Sequence, residues 1–110
     1  MTDKRYEAIF CIVNEGRSEI VMDAAWKAGA GGGTVLNGRG TARREAEEMF
    51  NIRIQPEKEL VMILVPEEIR DKVLQALYDT AGLDTESMGI AFSLPVERVI
   101  GLDRQKKEAD

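Results

Sequence analysis

Four short apolar stretches stand out along the chain, and each has the composition of a β-strand. They cover residues 6–13, about 33–38, 58–65 and 89–94. The first and third are almost continuously apolar, with several β-branched or aromatic residues. Such runs are typical of strands buried on both faces, which lie in the middle of a sheet. The pattern therefore predicts a sheet in which residues 6–13 form a central strand.

Between these stretches, apolar residues recur at the spacing of a helix with one buried face. The first stripe contains Ile20, Val21, Ala24, Ala25 and Ala28. The second contains Ile69, Val73, Ala76, Leu77 and Ala81. Gly29 is suited to end the first helix, while Pro66 followed by two glutamates is suited to open the second. Two amphipathic helices are expected.

The element order predicts an α+β fold of the ferredoxin-like βαββαβ type, a split sandwich. Its antiparallel four-stranded sheet would carry both helices on one face. With 110 residues, the chain is expected to form a single domain. Residues 95–102 are interpreted as a turn with a short closing strand, and 103–110 as a charged tail. Because no third layer remains to cover the other sheet face, we expect a homo-oligomer, namely a homotrimer.

Glycines concentrate in residues 29–41, on both sides of the short second strand. One interpretation is turn chemistry, with a helix end at Gly29 and a tight turn at 31–33. The other is contact with an anion, because glycine lets a ligand approach main-chain N–H groups closely. Arg39, framed by Gly38 and Gly40, favours the second interpretation for the later cluster.

Residues 41–57 form a long polar excursion before the third strand. Loops of this length in small domains are usually functional or disordered. Arg43 and Arg44 have a plain alternative role as a solvated helical face paired with Glu47 and Glu48. The excursion is therefore the candidate surface for a partner protein.

Composition excludes several classes of function. The net charge of −5 disfavours nucleic acid as a partner. No apolar run suits direct membrane insertion or a secretory signal, and a single cysteine, Cys11, fits a cytoplasmic protein. Without histidine, a catalytic triad or a zinc site is not expected. Cys11 lies in an apolar run, which favours a buried thiol over a nucleophile. We expect no enzyme activity.

Three segments resemble the PII family of nitrogen-regulatory signal proteins. They are residues 32–40 (GGTVLNGRG), 58–65 (KELVMILV) and 89–99 (GIAFSLPVERV), and the likeness extends from Tyr6 to Leu102. The resemblance implies a homotrimer of ferredoxin-like subunits that binds an adenine nucleotide (AMP, ADP or ATP) in clefts between neighbours. It also implies that the excursion is the family's T-loop, which contacts a transporter or enzyme in nitrogen or carbon metabolism.

The resemblance also implies roles for single residues. Thr34 matches a position beside the nucleotide, Gly40 the base of the T-loop, and Lys58 the lysine used for the 2-oxoglutarate carboxylate. Without the resemblance, Lys58 is equally well a lysine that protects a strand edge. The full expected ligand-binding set is Thr34, Gly38, Arg39, Gly40, Lys58, Leu64, Met88 and Gly89. The expected partner-binding residues of the loop are Thr41, Arg43, Arg44 and Phe50.

The chain departs from the family pattern where positive charge is expected. The family's Gly-Asp-Gly-Lys is replaced by residues 87–90 (SMGI), and its two late arginines fall at Gly101 and Asp103. Arg39, Arg43, Arg44 and Arg104 are candidates to supply some of the missing charge. Either a less charged nucleotide such as AMP or ADP binds, or the ligand differs. No tightly bound cofactor is expected, and whether Mg²⁺ accompanies the nucleotide stays open. The alternative is a structural or metal-binding ferredoxin-like trimer without nucleotide binding.

Overall fold

The computed structural model describes residues 4–41, 57–83 and 89–102. Its strands are β1 (Tyr6–Asn14), β2 (Thr34–Arg39), β3 (Glu57–Pro66) and β4 (Gly89–Val96), and its helices are α1 (Ser18–Lys27) and α2 (Glu67–Thr80). The strands form an antiparallel sheet in the order β2-β3-β1-β4. This confirms the predicted fold class, with β1 inside the sheet. Each strand boundary lies within two residues of its prediction.

One face of the sheet forms the core together with both helices. Odd-numbered apolar residues in the middle of β1 and at the later end of β3 are buried there against small and branched side chains of α1 and α2. The core residues of the two strands are Ile9, Cys11, Val13, Val61, Ile63 and Val65. Burial alternates along β1, so the prediction that this strand is buried on both faces is wrong for a single protomer.

The helices bury nearly the predicted stripes. In α1, Val21 and Ala25 are fully buried, but Ile20 is exposed and Met22 is buried in its place. Ile20 lies about 100° around the helix from Val21 and thus at the margin of the buried stripe. In α2, Val73 and Leu77 are fully buried.

The glycine-rich entry to β2 contains no tight turn at 31–33, which corrects the prediction. The turn lies earlier, at 28–29, where Gly29 adopts a φ of 112°. Gly33 has a packing reason instead. A Cβ atom there would lie 2.9 Å from the Met22 sulfur and 3.0 Å from the Met62 carbonyl oxygen. Glycine thus lets β2 approach α1 and β3 closely.

Beyond β4, the predicted closing strand is absent from residues 97–102, and this prediction is wrong. Strand β4 runs on through Pro95 to Val96, and the following residues pair with none of the four strands. Ile100 is almost fully exposed. A closing strand needs a neighbour with free backbone groups, and the described part of one protomer does not place one beside these residues.

The second sheet face, which carries the even-numbered strand residues, is here called the open face. It is apolar, and the rings of Phe10 and Phe92 stack there with centroids 5.5 Å apart. No helix covers it within the described residues. Its exposed large side chains are Leu36, Leu64, Ile90, Phe92 and Leu94.

Candidate functional site

Most of the predicted ligand-binding residues meet at one end of the sheet, here called the loop end. It is formed by the last residues of β1 and β2 and the first residues of β3 and β4. Gly38 lies opposite Lys58, which in turn lies opposite Asn14 on β1. Gly89 begins β4 and pairs with Val13. The topology therefore brings together residues that are distant in the chain.

Lys58 is held between three strands at this end. Its Nζ donates a hydrogen bond to Asn14 Oδ1 at 2.6 Å. Its methylene groups lie against Gly40, where an added Cβ would be 2.9 Å from Lys58 Cε. Because β3 lies between β2 and β1, Lys58 does not protect a sheet edge, and that alternative interpretation is wrong.

The two glycines beside Arg39 differ in their surroundings. Gly40 has no room for a side chain because Lys58 occupies that space. At Gly38, a Cβ would meet nothing within 4 Å. Packing therefore accounts for Gly40, while nothing in the structure explains Gly38.

Arg39 and Lys58 do not share a face of the sheet. Arg39 pairs with Glu57 in the register, one position along from the Gly38–Lys58 pair. Successive strand residues point to opposite faces, so Lys58 lies on the open face and Arg39 on the other. Within one protomer, the two cations predicted to contact an anion are thus separated by the sheet.

Thr34 and Leu64 lie on the open face but away from the loop end. Thr34 is four residues from Gly38, which corresponds to about 13 Å along β2. Leu64 is six residues from Lys58, or about 20 Å along β3. The structure therefore does not gather all predicted ligand-binding residues into one compact pocket of a single protomer.

Gly89 is required by packing at the start of β4. Its φ is 147°, and a Cβ would collide with the Ile12 carbonyl oxygen and lie 2.9 Å from a Val13 methyl group. This local reason is sufficient for glycine at position 89.

Sequence reasoning missed a clamp that fixes the root of the excursion to α1. Glu59 Oε1 accepts hydrogen bonds from the backbone N–H groups of Gly16, at 3.1 Å, and Ser18, at 3.0 Å. The N–H of Glu15 also donates to the Glu57 carbonyl at 3.1 Å. The carboxylate thereby accepts from the first residue of α1 and from the turn before it. The N-cap residue of α1 makes no side-chain capping hydrogen bond. The partners of Glu59 are more than forty residues away, so no local signal could have revealed the clamp.

Several predicted residues lie outside the described ranges. Thr41 is described and exposed. Arg43, Arg44, Phe50 and Met88 are not described, nor are Asp103 and Arg104.

The chemistry of the described residues is limited. Burial raises the pKa of the Cys11 thiol to about 11, which keeps it protonated and unreactive near neutral pH. Residues 4–41, 57–83 and 89–102 contain no group of three or more Cys, Asp or Glu able to hold a metal ion. In the same ranges, neither helix has the length and apolarity needed to cross a membrane.

The sequence matches a known family over nearly its whole length. Residues 6–107 match the sequence model of the family described as nitrogen regulatory protein P-II. The chain belongs to the P-II family. No curated protein sequence gives a significant match.

Solved structures of P-II proteins share the fold. Arabidopsis thaliana PII bound to citrate is 24% identical in sequence and superposes with a TM-score of 0.68. The match covers 93% of this chain and 84% of the Arabidopsis chain. CPII from Thiomonas intermedia K12, bound to ADP, AMP and acetate, is 17% identical with a TM-score of 0.60, covering 86% and 90%. A PII-like signaling protein from Thermus thermophilus is 18% identical with a TM-score of 0.62, covering 84% and 87%.

Proposed function

We propose that this P-II family protein is a cytoplasmic, non-enzymatic regulator. It binds an adenine nucleotide between the subunits of a homotrimer and acts on a partner transporter or metabolic enzyme through residues 41–57. The observation that carries the proposal is the loop end of a P-II fold, where Gly40 and Lys58 meet at the two roots of the excursion. Among the similar structures, CPII is bound to ADP, AMP and acetate, and the plant PII to citrate.

The open face supports the trimeric assembly. Exposed or half-buried apolar side chains continue across all four strands, with Ile90 59% exposed at one edge, Leu36 47% exposed at the other, and Phe10 and Ile12 half-buried between them. Such a contiguous apolar surface is typical of an interface. Assembly would also bring Thr34 and Leu64 of one copy close to another copy. In the proposed trimer, Thr34 and Leu64 of one subunit would complete the ligand site with the loop end of a neighbouring subunit. This would explain why they lie far from the loop end of their own protomer.

The charges favour AMP or ADP over ATP. Positions 90 and 101 carry isoleucine and glycine where the resemblance implies basic residues. Charge-assisted hydrogen bonds contribute about 1.5–3 kcal/mol each, so their absence weighs most against a triphosphate. Mg²⁺ would be bound only through the phosphate groups of the nucleotide.

Signalling requires that the ligand bind one conformation of residues 41–57 more tightly than another. The root of the excursion supplies a physical link. Because Lys58 packs on Gly40, a ligand bound at Lys58 lies beside the residue where the excursion begins. The partner would then recognise the ligand-selected conformation of the excursion.

The test is isothermal titration of the nucleotide-free protein with AMP, ADP and ATP, each with and without Mg²⁺. We expect saturable binding, tighter for AMP or ADP than for ATP, and weakened several-fold by Arg39→Ala. Lys72→Ala, which removes an exposed charge from the outer side of α2, is the matched control and should change nothing.

Absence of heat and of any thermal shift with all three nucleotides would contradict the proposal. The missing basic residues would then have removed the nucleotide site from a retained fold. Stabilisation by a divalent metal alone would instead favour a metal-binding trimer.

A further inference from the structure

Asn14 is the third member of the contact at Lys58, and nothing in its local sequence marks it as functional. It is the last residue of β1 and lies directly opposite Lys58 in the register. A lysine ammonium can only donate hydrogen bonds. The Asn14 amide therefore turns its oxygen towards Nζ, at 2.6 Å.

This contact fixes a side chain that is otherwise flexible. Lysine carries its charge on a four-carbon stem that loses substantial rotamer entropy when it is immobilised. Here the stem is held against Gly40 and the ammonium against Asn14. Much of the ordering that a bound anion would otherwise impose is already present, and such preorganisation strengthens binding.

The contact with Asn14 also adds no negative charge beside Lys58. Asn14 is neutral, and in the described ranges the ion pairs are those of Arg70 with Glu7 and Asp71. Glu57 and Glu59 neighbour Lys58 along β3, but strand alternation places them on the opposite face. The Glu59 carboxylate moreover accepts bonds from Gly16 and Ser18. Within the described part of the chain, Asn14 thus orients the ammonium and no carboxylate neutralises it. One amide oxygen also occupies only one of its three N–H donors.

We propose that Asn14 is a positioning residue that holds the Lys58 ammonium at the loop end to receive a small-molecule carboxylate. The inference rests on the ligand-binding role proposed above for the loop end. It takes the carboxylate from the role that the family resemblance implies for Lys58 and adds Asn14 as a new residue. Asn14 acts through Lys58, by orienting its charge.

A double-mutant cycle tests the proposal. Wild-type protein, Asn14→Ala, Lys58→Ala and the double variant are titrated as full chains with citrate and with 2-oxoglutarate. Of the two ligands, the one that wild-type protein binds more tightly should bind Asn14→Ala roughly tenfold more weakly. A tenfold loss of affinity is the effect of one hydrogen bond to a charged group. In the Lys58→Ala background, the same change should have no further effect. The inference would be overturned if the two substitutions weakened carboxylate binding independently, so that their effects multiplied in the double variant. It would also be overturned if Asn14→Ala kept the wild-type affinity, or if the wild type bound no carboxylate.

Asn14→Asp separates positioning from a merely structural role. Aspartate keeps an acceptor of the same size beside Lys58, so the melting temperature should stay at or above that of the wild type. Its negative charge would neutralise the ammonium, so carboxylate binding should fall at least as far as in Asn14→Ala. Wild-type carboxylate affinity in Asn14→Asp would contradict the proposal. Circular dichroism of each variant confirms that it is folded.

The two proposals fail differently. If the protein binds nucleotide, and its carboxylate affinity is unchanged in Asn14→Ala, this inference is overturned but the nucleotide-regulator proposal is not. Carboxylate binding that depends on Asn14, without any nucleotide binding, supports the inference and contradicts the nucleotide-regulator proposal.

Discussion

Single residues show how differently the glycines of this chain are constrained. At Gly89, a side chain would meet the Ile12 carbonyl and Val13. At Gly16, φ is 94°, but a Cβ would meet nothing within 4 Å. Both positions strain an L-residue, yet only Gly89 adds a collision with a neighbouring strand.

Gly89→Ala should therefore destabilise the fold by about 3 kcal/mol or more, through backbone strain and displacement of β4 from β1. Gly16→Ala, the matched control, should cost only about 1 kcal/mol. Urea denaturation of both variants measures the difference. Similar losses of unfolding free energy in the two would show that strain alone accounts for Gly89.

Cys11 gives a pH-dependent prediction. Its folded pKa, raised by burial to about 11, exceeds the ordinary value of 9.0. The folded state binds the thiol proton more tightly, so this contribution is complete below pH 9 and is lost between about pH 9 and 11. Over that window, wild-type protein should lose on the order of 2 kcal/mol more stability than Cys11→Val. Chemical denaturation at several pH values compares the two proteins, and parallel curves would refute the assignment.

At the scale of elements, periodicity was sufficient for the strands and helices but not for their long-range links. The continuous apolar run of β1 and the stripe around Val73 and Leu77 carry their own signal, because burial selects apolar residues at a fixed spacing. The partners of Glu59 and Lys58 carry none, since the register that joins them arises only when the sheet forms. Lys58 was predicted through the family resemblance, whereas Asn14 and Glu59 were not.

The Glu59 clamp predicts a specific effect on α1. Glu59→Ala should cost about 1–2 kcal/mol, because it removes the acceptor for two N–H groups at the start of the helix. Glu59→Gln keeps an acceptor oxygen and should cost less. Glu57→Ala, an exposed neighbour whose backbone carbonyl makes the contact, should be nearly neutral. Hydrogen exchange of residues 16–21 reports the loss directly, and unchanged exchange in Glu59→Ala would refute the clamp.

At the scale of the whole molecule, the distribution of apolar surface predicts the assembly. Light scattering should give a mass three times the 12.2 kDa of the protomer. Leu94→Asp should dissociate the proposed trimer, because it places a charge on the open face. Tyr78→Asp is the matched control, since Tyr78 is equally exposed, at 52%, but lies on α2.

A monomeric wild type, or a Tyr78→Asp variant that dissociates as readily as Leu94→Asp, would contradict the assignment of the interface. The sequence predicted the exposed sheet face because no third layer was available to cover it. It could not show that Thr34 and Leu64 lie far from Lys58, because the register that places Thr34 opposite Met62 arises only when the sheet forms.

The pairing of Tyr6 with Val96 has a practical consequence for experiments on this protein. Both residues lie at the end of the sheet opposite Asn14, and the length of β1 between them and Asn14 corresponds to about 26 Å of extended strand. A fluorophore or surface-immobilisation handle joined ahead of Lys4 would therefore be remote from Lys58. Sensor chips and energy-transfer probes can be mounted there without covering the loop end.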